Sequence, residues 1–198
     1  MIAIAFATLL VTATSLDLLT PAAAVEIRGN WRSSIKPAIR EPNELELAWI
    51  MLAWEMWPHP GTTIDPSKDI KIIDSGKYPT GEKPSAAETS PDGKEIAIRS
   101  DIVCTAPTAR VGYLISHELS HVNDIISNGW DFSNYDCHEG RAIRDGLSPL
   151  CQYLCTPGLA QRLKNFLCNY YALKRKEGND NLDKCPIGEP KIPPCECC

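Results

Sequence analysis

His117-Glu118-Leu119-Ser120-His121 lies inside a largely apolar run that starts at Val111 and resumes at Val122. On a helix, residues four apart share a face, so the two imidazoles point at one spot, and Glu118 flanks it one position on. Two ring nitrogens and a carboxylate at this spacing suit a metal ion with a general base beside it, the layout that metal-assisted hydrolysis needs. Around this motif the spacing predicts a helix over about 108–127, with Leu114, Ile115 and Leu119 among its apolar positions.

Downstream, Cys137-His138-Glu139-Gly140-Arg141-Ala142 offers a third donor, and 17 residues separate His121 from Glu139. That gap accommodates the end of one helix, a loop through Asn128-Gly129 and Tyr135-Asp136, and the start of a second helix. The segment 112–122 resembles the active-site helix of the zincin metallopeptidases. It departs from the metzincin branch, having Asp124 where that pattern has Gly and Ser127 where it has a third His. It is similar to the gluzincin branch, in which a Glu from a later helix completes the site. This resemblance covers about residues 95–146 and implies His117, His121 and Glu139 as ligands of one zinc ion, with Glu118 as catalytic base. Asp124 and His138 are the alternative third ligands. Ile143 stands where gluzincins often carry an Asp that supports a ligating His, so Asp124 or Asp145 is expected to take that role.

Three protein ligands leave a fourth position for water, whose pKa zinc lowers towards about 7. Glu118 would take its proton and return it to the leaving amine. Tyr135, His138, Arg141 and Tyr170 are the candidates for a second group that stabilises the oxyanion.

The N-terminus reads as an export signal. An uncharged apolar run from Met1 to Val11 is followed by Asp17 and then Pro21-Ala22-Ala23-Ala24, small residues that suit cleavage after Ala24. The apolar run is too short to span a bilayer, so stable membrane insertion after its removal is not expected. The remainder, 25–198, has the length of one domain with a Cys-rich tail over about 177–198, and 25–42 is a candidate pro-segment. All nine cysteines lie beyond the signal, a density that in an exported domain implies disulfides. Nine is odd, and the terminal Cys195-Glu196-Cys197-Cys198 is the expected place of the unpaired thiol. A secreted or periplasmic location follows from both features.

Charge narrows the partners. Net charge is −5, and the leader removes Asp17 and no base, leaving 20 basic against 24 acidic side chains. A mildly acidic chain with no basic stripe beyond Lys174-Arg175-Lys176 argues against nucleic acid and leaves a peptide or protein substrate.

Elsewhere, helices are expected over 44–57, 137–146 and 157–176, and strands over 70–74 and 94–100. In the first helix Leu45, Trp49, Leu52, Ala53 and Met56 recur at helical spacing and are expected to face the core. The stretch 75–90, rich in Gly, Pro and Ser, reads as a loop. By the resemblance, the strand over 96–100 either borders the substrate cleft as a sheet edge or is an ordinary core strand. The expected fold is α+β and zincin-like: a small antiparallel or mixed sheet, an active-site helix and a mainly helical C-terminal half, stapled by disulfides. The leading functional expectation is an exported zinc metallopeptidase. The alternatives are a zinc amidase acting on a cell-wall amide and a disulfide-rich binding or effector protein without catalysis.

Overall fold

The computed structural model describes residues 38–57, 59, 61–74, 85–129 and 134–198. The signal peptide and its cleavage after Ala24 lie outside the described residues. The architecture is α+β: a small mixed sheet followed by a helical C-terminal half. Strands β1 (Ile39–Arg40), β2 (Ile70–Ile73), β3 (Ala87–Thr89) and β4 (Ile96–Arg99) assemble in the order β1-β2-β4-β3, with β2 and β4 parallel and the two outer pairs antiparallel. Ile70 lies beside Ile96 and Ile72 beside Ile98. All four are fully buried in the main core, while Ile73 and Ala97 point to the opposite face, where Ala38 and Ile39 cover them. Strand alternation thus gives the sheet two apolar faces.

Helix α1 (Glu44–Glu55) starts at a capping box in which the Asn43 side chain accepts from the Glu46 amide and Glu46 accepts from the Asn43 amide. Glu46 also takes both Nη atoms of Arg40 at 2.7 Å, which pins the helix start to β1. The inward face of α1 carries Ile50, Ala53 and, just past the helix end, Trp57. The face carrying Leu45, Trp49, Leu52 and Met56 is turned outward, with each of these at least 38% exposed. This corrects the expected orientation: α1 is apolar on both faces, so spacing alone does not choose the buried one. Ala53, on the boundary, is buried as expected.

A short helix α2 (Ser100–Thr105) leads into α3 (Thr108–Asn128), α4 (Tyr135–Leu154) and α5 (Gln161–Leu182). Helices α3 and α4 form an antiparallel pair, and α5 packs on α4. The close approach has a cause at two glycines. A Cβ on Gly146 would meet the Tyr113 ring at 2.9 Å, and one on Gly140 would meet the Leu182 backbone nitrogen at 2.9 Å. Helix α4 runs eight residues beyond its expected end and passes through Pro149, because Leu147, Leu150 and Leu154 bury there. Burial on that face outweighs the hydrogen bond that proline removes. Helix α5 likewise continues past Lys174-Arg175-Lys176, so that basic run lies within the helix and not at its end.

The tail beyond α5 is strapped to the helices. Cys137–Cys185, Cys151–Cys195, Cys155–Cys197 and Cys168–Cys198 are disulfides, and the free thiol is the exposed Cys104 of α2 rather than a tail cysteine. Arg141 and Arg144 of α4 both grip Glu189, and Ile192 is buried. Ile39 and Arg40 pair with β2, and the Ala38 carbonyl accepts from the Asp74 amide, so the last residues of the candidate pro-segment 25–42 are part of the fold. Among the described residues no helix is long and apolar enough to cross a membrane.

Candidate active site

The antiparallel register of α3 on α4 sets the site. His121 meets Glu139, with Nε2 to Oε1 at 3.2 Å, and His117 Nε2 stands 3.5 Å from Glu139 Oε2. One turn further from the site, the Asp124 carboxylate meets His138 Nδ1 at 2.6 Å. Towards the other end, the Ala142 backbone lies beside His117. Each turn of α3 therefore faces one turn of α4, and the sequence gap between His121 and Glu139 is what brings these two level.

The two imidazoles stand edge to face, with centroids 4.9 Å apart. Donor atoms of His117, His121 and Glu139 all lie within 4.8 Å of one another. For zinc bonds of about 2.0–2.1 Å, a tetrahedral set has edges of about 3.3 Å, which the two nitrogen–oxygen separations match. The protonation pattern suits a cation too. Burial pushes His117 down to about 3, helped by the neighbouring His121. Burial opposes ionisation of Glu139, but the hydrogen bond to His121 and the field of both rings hold it at about 2. His121 is opposed by burial and still raised, because Glu139 and Glu118 outweigh that cost. The set is a neutral imidazole, a carboxylate and an imidazole whose own proton that carboxylate holds, and a divalent ion bound there would displace that proton.

Glu118 projects beside this cluster, its Oε1 3.9 Å from His117 Nε2. Burial raises it to about 7, opposed by the field of His121 and by a hydrogen bond from Thr89. The Thr89 hydroxyl reaches the Glu118 carboxylate at 2.8 Å and its carbonyl oxygen at 3.0 Å. Thr89 belongs to β3, an edge strand that falls within the stretch read as loop. That edge borders the cleft, whereas Ile96–Arg99 is an interior strand between β2 and β3, the core-strand alternative. Three residues of strand give too little alternation to be read from sequence. The only sequence signal for Thr89 was the nearby turn Asp92-Gly93, which closes a hairpin between β3 and β4.

Of the remaining candidates, Asp124 and His138 occupy each other and neither joins the donor set. Successive helical residues point about 100° apart, so with Glu139 facing His121, its neighbour His138 faces elsewhere. Asp145 accepts from Ser120 Oγ at 2.7 Å instead of supporting an imidazole, while Asp124 acts on His121 only through its field. Arg141 is held by Glu189. Tyr135 and Tyr170 both line the cleft, Tyr135 hydrogen-bonding to Glu139. Burial raises Tyr170 to about 12 against the influence of Arg110, so its phenol keeps its proton.

The cleft has a volume of about 750 Å³, with β3 on one wall and α5 on the other. No family model, curated protein or solved structure matches the chain.

Proposed function

We propose that this protein is an exported zinc-dependent metallopeptidase of gluzincin type, with a zincin-like arrangement of edge strand, active-site helix and ligand helix. The observation that carries the reading is the convergence of His117, His121 and Glu139 from two helices, with Glu118 buried beside them. A structural metal site has no need of that fourth group. Four disulfides in the C-terminal half accord with an oxidising compartment.

His117, His121 and Glu139 would hold the ion, which when bound supplies a Lewis acid for the scissile carbonyl and makes a water acidic enough to attack near neutral pH. Glu118 accepts the proton of the attacking water. Its burial gives it a proton affinity poised near neutrality, so it can pass that proton to the leaving amine. Thr89 keeps the carboxylate aimed by hydrogen-bonding to it from β3. Among the described residues that strand pairs only with β4, and its other side borders the cleft, where an extended peptide could add to it. Tyr135 orients Glu139, and Tyr170 offers a protonated phenol to the cleft.

The test is hydrolysis of a mixed peptide library by the purified protein with zinc supplied, against Glu118→Ala. Cleavage abolished by the substitution, with zinc still bound, supports the reading. Equal cleavage by both proteins, or none by either, removes it.

A further inference from the structure

Arg110 lies seven residues before His117, two turns along the same face of α3. Its guanidinium stacks over the Tyr170 ring at 5.2 Å and bonds its phenol. Tyr170 stands edge-on to Tyr113 at 5.3 Å, and Tyr113 is 6.0 Å from the His117 ring. This row of rings carries the cleft from the metal-ligand cluster to Arg110. Among the described residues no carboxylate pairs with Arg110, and its buried Nε has no hydrogen-bond partner. Arg40, Arg99, Arg141 and Arg144 are each met by an acid, and of the described arginines that are not, Arg110 is the one that lines the cleft. Lys174 lines the same wall one turn after Tyr170, paired with Glu177 at 2.7 Å. Arg110, Lys174 and Glu177 leave this end of the cleft one positive charge in excess, while Glu88 and Glu118 line the β3 side. A half-buried guanidinium that lines the cleft and meets no carboxylate suits an anionic ligand, and its planar fork fits a carboxylate.

We propose that Arg110, assisted by Lys174, forms a carboxylate-binding subsite on the α5 wall, selecting peptides that carry a carboxylate a few residues from the scissile bond. The inference rests on the metallopeptidase reading. Seven helical residues advance about 10 Å, which an extended peptide covers in about three residues. The carboxylate is therefore expected within about three positions of the bond cleaved, as a free C-terminus or as an Asp or Glu side chain.

The experiment measures binding by calorimetry to zinc-loaded and metal-free Glu118→Gln protein, so that nothing is hydrolysed. The probes are N-acetylated tetrapeptide acids, the same peptides as C-terminal amides, and amides bearing Glu or Gln at each position. The acids, or the Glu-bearing amides, are expected to bind at least about tenfold more tightly than their neutral partners. That preference is expected to vanish when Arg110→Gln is added, and to weaken with Lys174→Gln should the first variant fold poorly. Preference for the C-terminal acid alone identifies a terminal carboxylate, and preference for Glu alone a side chain. Equal binding of charged and neutral peptides, no binding of either, or a preference that survives both substitutions overturns the subsite. Failure to load zinc while the preference persists in metal-free protein overturns the metallopeptidase reading and leaves the subsite standing.

Discussion

Thr89 donates its hydroxyl to the Glu118 carboxylate at 2.8 Å, so the edge strand and the active-site helix are joined through the proposed base itself. Removing the bond without changing shape isolates its effect. Thr89→Val is expected to lower kcat/KM roughly tenfold to a hundredfold, the loss of one hydrogen bond to a charged group. Because that bond lowers the Glu118 pKa, the acidic limb of the pH–rate profile should move to higher pH. Thr89→Ser should restore both, as a loss of packing would not.

Glu118 costs the metal-free protein stability. Its folded pKa of about 7 exceeds its ordinary 4.5, so its contribution is most favourable below pH 4.5 and is lost as pH rises through 7. The loss is on the order of 3 kcal/mol. Glu118→Gln can still accept from Thr89 and carries no charge. Thermal melts of the metal-free proteins should show the variant several degrees more stable at pH 8 and little changed at pH 4. An equal difference at both values would contradict the burial argument.

Cys137 is two residues from Glu139 and is bonded to Cys185, 48 residues on. The Cys137→Ser, Cys185→Ser double variant should lose about 2–4 kcal/mol of stability in denaturant melts. Because the bridge anchors the first turn of α4, zinc affinity should fall as well, read by competition with a chelator. The bridge Cys168–Cys198, which involves neither helix that bears the proposed ligands, offers the control: its removal should lower stability and leave zinc affinity unchanged.

Gly140 sits against the Leu182 backbone nitrogen, where a Cβ would approach to 2.9 Å. Backbone cannot rotate aside as a flexible side chain can, so Gly140→Ala should separate α4 from α5 and destabilise by about 1–3 kcal/mol. Chemical denaturation measures this directly, and an unchanged midpoint would contradict the close packing.

The centre was legible where periodicity carried it. That His117 and His121 share a helix face follows from their spacing, while Glu139 was singled out by the gluzincin resemblance, with which the gap of 17 residues agrees. The resemblance and the antiparallel pairing agree on the same residue. Asp124 and His138 remained open as ligands because sequence does not show that they satisfy each other at 2.6 Å. Helix α1 was legible as a helix through its Asn43 capping box but not in its facing, since Ile50 and Trp57 compete with Leu45 and Trp49 for the core. The disulfide map depends on where the tail crosses α4 and α5, a tertiary property, and so Cys104 could not be singled out. Strand β3 is set by pairing with β4 rather than by its own three residues, which is why Thr89 escaped notice. Arg110 left a signal that spacing could have used: it shares the face of α3 that bears His117.

The central claim is that His117, His121 and Glu139 hold one zinc ion. The direct measurement is metal content by elemental mass spectrometry of the purified protein after zinc loading and dialysis, beside His121→Ala, Glu139→Gln and Asp124→Asn variants verified as folded. About one zinc per chain in the unsubstituted protein, lost in the His121 and Glu139 variants and kept in the Asp124 variant, is the predicted result. No zinc in the unsubstituted protein, or retention in the Glu139 variant with loss in the Asp124 variant, would contradict it.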